Sequence, residues 1–241
     1  MSKKISAMKN LALLVVLGTA CQALAQDAAK TYAKMAPLEQ YLMADRDAEI
    51  ALARSAAPES ISRDAEVLVL GRRGFETAVK GKNGFVCYAG RSWSAAADPD
   101  FNDPRVRVPM CLNAAAAHTY LPRVNRANEL AMAGHTVTEV NDALAAAVAK
   151  KEFPPMESGS IGYMMGKEGF GGNVAPHWPS HIMFFYSDTD PAFWGANLPG
   201  SPVIAVADPG ERMTSFVIPL AKWSDGTDAL PAAPHVHPSG N

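Results

Sequence analysis

Apolar and polar positions change period twice along this chain, and the changes divide it into segments. Residues 1–25 carry Lys3, Lys4 and Lys9, then the apolar run Leu11–Leu17, then Ala23-Leu24-Ala25. A basic start, a short apolar run and small residues in that order predict a cleavable signal peptide, with the mature chain starting at Gln26. Cys21 offers a rival reading as the lipidated cysteine of a lipoprotein, but Gly18 stands where such signals usually carry Leu.

Residues 26–36 read as a tether. From Pro37, suited to a first helical position, the apolar residues Leu38, Tyr41, Leu42, Ile50 and Leu52 predict a surface helix ending near Ala57-Pro58. Asp45, Arg46, Asp47 and Glu49 crowd its middle. Three strands are then expected, at 66–70, 75–80 and 85–91, divided by Gly71-Arg72-Arg73-Gly74 and Gly81-Lys82-Asn83-Gly84. Asn-Gly is a strong hairpin signal, so the expectation is a meander. Residues 94–110, interrupted by Pro99, Pro104 and Pro109, read as a loop.

The period then lengthens to that of a helix. Asn113 caps 114–120, Pro122 opens a second stretch to Ala133, and Gly134 ends it. Thr136 and Glu139 form a capping box before the stripe Val140, Leu144, Ala147 and Val148. The strand period returns at 160–165, 181–186, 202–207 and 214–220, with Pro199-Gly200 as a type II turn. Pattern fades after Asp225. The predicted organisation is a leader (1–25), one domain (26–228) and an irregular Pro-rich tail (229–241). Strands, helices, then strands predict α+β: a largely antiparallel sheet built from both ends of the mature chain, with helices packed on one face.

Charge narrows the functions. The whole chain has 22 Lys and Arg against 24 Asp and Glu. Without the three leader lysines the balance is 19 against 24, or −5. Such a chain is poorly suited to nucleic acid or to anionic membranes, and after the leader no transmembrane segment is expected. Cleavage also leaves two cysteines, Cys87 and Cys111. In an oxidising compartment, periplasmic or extracellular, this pair predicts a disulfide.

Signatures of several chemistries are missing: the sequence contains no G-x-S-x-G, H-E-x-x-H or C-x-x-C. His177 and His181 are four residues apart, a helical zinc spacing, but Pro179 lies between them. With Asp188, Glu157 or His118 as a third ligand they are the candidates for a divalent metal. Asp188 and Asp190 also fit turn capping, and His235 and His237 flank Val236 in the tail. Trp93, Trp194, Asn197 and Arg91 are the candidates for a ligand cleft, since clefts combine apolar walls with a few polar groups. Trp178 and Trp223 also fall near predicted strand ends. Arg91, Arg105 and Arg107 are candidate anion contacts, or solvated edge residues.

The stretches Asn83–Cys87, Arg91-Ser92-Trp93 and Trp194–Pro202 resemble those of exported bacterial proteins without an assigned activity. The resemblance covers most of the mature chain and implies no catalytic residue. The expectation is an exported protein that binds a small molecule or an envelope partner. The alternatives are a metal-dependent hydrolase centred on His177 and His181, and a structural envelope protein.

Overall fold

The computed structural model describes residues 32–95, 100–173 and 175–229. The predicted leader with Cys21, the start of the tether, and the tail from 230 on with His235 and His237 lie outside the described residues.

Eight strands make one mixed, mostly antiparallel sheet: β1 (Glu66–Gly71), β2 (Gly74–Val79), β3 (Val86–Gly90), β4 (Val108–Leu112), β5 (Ile161–Met164), β6 (His181–Ser187), β7 (Ile204–Asp208) and β8 (Met213–Pro219). Their order is β2-β1-β3-β4-β5-β6-β8-β7. Both ends of the ordered chain therefore contribute, and the α+β architecture holds.

The first three strands do not form a meander. β1 pairs antiparallel with β2 but parallel with β3. The Asn83-Gly84 segment is thus a strap that carries the chain past the start of β1, not a hairpin. Lys82 N donates to Asp64 O at 2.8 Å, and Glu66 N donates to Phe85 O at 2.8 Å. Gly81 makes this close passage possible: a Cβ there would stand 2.9 Å from both the Glu66 Cα and the Ala65 carbonyl carbon.

The loop expected over 94–110 ends in a strand. Pro109 sits in β4 opposite Ala89 of β3. On the other side β5 pairs with β4 only at Cys111 and Leu112, so the proline breaks no ladder bond there. In the same register Cys87 faces Cys111, with Cα atoms 4.0 Å apart, and the two are joined by a disulfide.

The expected long helix over 37–57 is broken. A short 3-10 turn (Leu38–Gln40) precedes α1 (Arg46–Arg54), and α2 (Glu59–Ser62) follows. Asp45 explains the break. Its carboxylate accepts from Asp47 N at 2.9 Å and Ala48 N at 3.0 Å, which makes it an N-cap. The acids that crowd the stretch are therefore the start of a helix, with Asp47 and Glu49 in its first turn.

After the short helix α3 (Ser92–Ala95) come α4 (Ala114–Thr119), α5 (Leu121–Met132) and α6 (Val137–Ala149). The Thr136–Glu139 capping box is present. Gly134, at φ 92°, closes α5 with bonds from Gly134 N to Ala131 O (2.8 Å) and His135 N to Leu130 O (3.1 Å), a Schellman motif.

Alternate residues of β1, β3 and β4 separate two apolar layers. Leu68, Tyr88, Met110 and Leu112 pack with Ala116, Leu121 and Val124 of α4 and α5. Val67, Cys87 and Cys111 pack with Ala53, Ala56 and Ala57 of the α1 region. The helices of 114–149 thus cover one face, as their apolar stripes predict, and α1 covers the disulfide on the other.

Candidate functional site

Two clefts meet at the start of α5 and the β7–β8 turn, and both are lined by Arg123 and Glu211. The upper cleft, about 370 Å³, is walled by Trp93, Leu144, Val206 and Met213, with Asp208 at its side. The lower, about 480 Å³, is walled by Val148, Phe153 and Pro154, with Lys151, Asp188 and Arg212. Ligand sites combine apolar walls and few polar groups in this way.

Each polar residue has a local reason for its place. Pro122 opens α5, so Arg123 falls in the first turn, where the helix meets the sheet. Its guanidinium donates to Thr119 O, and to Pro154 O at 3.3 Å, and lies 5.2 Å from the Phe153 ring centroid. Asp208-Pro209-Gly210-Glu211-Arg212 makes the tight turn between the edge strand β7 and its neighbour β8. Glu211 N donates to Asp208 Oδ1 at 2.9 Å, and Arg212, at φ 51°, pairs with Asp188.

Glu211 reaches back under the turn, bringing its Oε2 to 3.4 Å from Arg123 Nε. The Arg123 and Glu211 side chains are only 5% and 18% exposed, yet this Nε and Oε2 make no hydrogen bond. Burial, with the nearby Asp208 charge, pushes the Glu211 carboxyl up to about 7 against the pull of Arg123. Burial also lowers Arg123. A desolvated pair with unfilled hydrogen-bonding capacity therefore sits where the clefts join, and its carboxyl gains or loses a proton near neutrality.

A third cleft, about 260 Å³, lies where β4 begins and β5 ends. Gly166, Gly169 and Gly171 contribute backbone, and Trp178, Trp223 and His177 contribute side chains. Gly171 is needed for closure, because a Cβ there would collide with the Trp178 indole nitrogen. Its one ammonium, on Lys167, pairs with Asp225 at 2.5 Å.

The residues singled out from the sequence are dispersed. Trp93, 4% exposed, lines the upper cleft. Arg91 is fully buried: it pairs with Glu49 at 2.6 Å and donates to Tyr41 O (2.7 Å) and Ala89 O. Trp194 stacks on Phe216 at 4.4 Å between ring centroids, and Tyr186 lies 5.4 Å away. Asn197, at φ 62°, donates to Ala205 O (2.9 Å) and accepts from Ala205 N (3.0 Å), pinning its loop to β7.

His177 is exposed on the third cleft. His181 is fully buried in β6, with Nδ1 2.6 Å from Pro179 O and its pKa lowered by burial. Asp188 is committed to Arg212, and His118 to Glu157 at 2.5 Å. Asp190 caps the turn at Ala192 N (2.9 Å). Among the described residues no group of three or more His, Cys, Asp or Glu is placed to hold a metal ion. Arg105 pairs with Asp103 at 2.7 Å, and Arg107 donates to Pro104 O and Val106 O, each at 2.7 Å.

Arg123, Asp208 and Glu211 escaped the sequence reading. An Asp-Pro-Gly-Glu run signals only a turn, and an arginine after a helix-opening proline is commonplace. Comparison with family models, curated proteins and solved structures found no match to this chain.

Proposed function

We propose that this protein binds a small molecule in the groove centred on Arg123 and Glu211. The observation that carries the reading is the buried pair itself. Burying an ionisable carboxyl beside a guanidinium without completing their hydrogen bonds costs stability. A ligand that brings polar groups against the cleft-facing part of this pair recovers part of that cost on binding. The apolar walls from Trp93, Leu144 and Phe153 supply the area that drives small-molecule association.

Export supports the setting. The leader pattern of residues 1–25 and the disulfide between Cys87 and Cys111 both fit an oxidising compartment outside the cytosol. No helix among the described residues is long and apolar enough to cross a membrane.

A fragment library followed by protein-observed NMR tests the proposal, with Val206→Trp as the comparison. Val206 lines the upper cleft and is 59% exposed, so the larger side chain obstructs the groove without disturbing the core. Bound fragments are expected to shift the Arg123, Asp208 and Glu211 amides and to lose affinity in the variant. Hits that all map elsewhere, or that bind Val206→Trp equally well, would overturn it.

A further inference from the structure

Charged residues of the groove stand mostly beside one of opposite sign. Arg212 pairs with Asp188 in the lower cleft, and Arg123 faces Glu211 at the junction. Each cleft also carries one charge outside these pairs. Asp208, at the end of β7, accepts a hydrogen bond from Glu211 N and has no cationic partner among the described residues. Lys151, just past α6, is held at φ 59° and its N–H donates to Val148 O at 3.0 Å. Its ammonium has no anionic partner among the described residues. Both side chains are exposed, so each is open to a ligand.

We propose that the groove takes a short apolar peptide with free ends, its ammonium end beside Asp208 and its carboxylate end beside Lys151. This rests on the groove being the binding site. The argument is one of discrimination. An apolar ligand that covers the groove removes water from both unmatched charges, and a buried charge without a partner is costly. A ligand with a single charge satisfies one of the two and strands the other; opposite charges at its two ends satisfy both. The size of the clefts, about 370 and 480 Å³, calls for a molecule longer than one amino acid.

The tripeptide leucyl-valyl-leucine tests this by NMR titration, beside its N-acetylated and its C-amidated forms. The free peptide is expected to shift the Glu211 and Arg123 amides. Each cap should weaken it roughly fivefold, the scale of a partly solvated ion pair. Asp208→Asn should abolish sensitivity to acetylation but not to amidation, and Lys151→Met should do the reverse. If all three forms bind the groove equally, the zwitterion proposal fails and the groove reading stands. If none binds while fragments still do, the peptide proposal alone fails. If neither peptides nor fragments bind there, both fail.

Discussion

The Arg91 guanidinium lies 2.6 Å from the Glu49 carboxylate, with neither side chain more than 2% exposed. The contact ties α1 to the end of β3, and Glu49 Oε1 also accepts from Leu70 N of β1 at 3.1 Å. Burial lowers the arginine, and the glutamate opposes that shift. A buried pair is costly to assemble, but breaking it strands a charge. Arg91→Met and Glu49→Leu are each expected to destabilise the fold by about 3–5 kcal/mol. The double variant should cost less than the two single effects added. Urea denaturation measures all three, and strict additivity would show that the two groups are not coupled.

The Cys87–Cys111 bridge spans a sequence separation of 24. Closing a loop of that size restricts the unfolded chain by roughly 3.5 kcal/mol. Cys87→Ser and Cys111→Ser should therefore lose similar stability, about 2–4 kcal/mol each, with the double variant no worse than either. Alkylation of native protein is expected to label neither thiol; two labelled thiols would refute the bridge.

Glu211 titrates near 7 in the folded protein instead of at its ordinary 4.5. The folded state then holds an extra proton between those values, so stability falls as pH rises from about 4.5 to 7. Above that window both states are ionised and the full cost persists, on the order of 3 kcal/mol. Arg123, Asp208 and Tyr120 in the upper cleft and Lys151, Asp188 and Arg212 in the lower are the titratable residues around it, and Gln is the neutral stand-in for the protonated acid. Glu211→Gln should match wild type at pH 4 and exceed it at pH 8. Equal stability at both pH values would show that the carboxyl titrates normally.

The strap over β1 has its own test. Gly81→Ala would push a methyl group into the backbone at Ala65 and Glu66, where no side chain can give way. The expected loss exceeds about 2 kcal/mol, against little change for Lys80→Ala in the same segment. A stable Gly81→Ala protein would mean that the chain does not cross β1 as described.

Local chemistry made much of this fold legible in advance. The capping box at Thr136 and Glu139, the Schellman glycine at 134, the Pro199-Gly200 turn and seven of the eight strands are all written in short windows. There a hydrogen-bonding side chain, a φ preference or an alternation of apolar residues acts on its own neighbours. The pairing of Cys87 with Cys111 is legible from parity and from the compartment that the leader pattern predicts.

Tertiary structure decided the rest. Whether the chain after β2 turns back beside it or passes across β1 depends on contacts with Asp64–Glu66, beyond the reach of an Asn-Gly turn signal. Val108–Leu112 became a strand because β3 presented a free edge, despite its proline. Arg91 went from a plausible anion contact to a core ion pair because α1 brought Glu49 to it. Arg123 and Glu211 meet only because α5 packs on the sheet to which the β7–β8 turn belongs. A residue's own type fixes what it can bond to, but which charge it meets and how much water remains are set by packing between segments far apart in the chain.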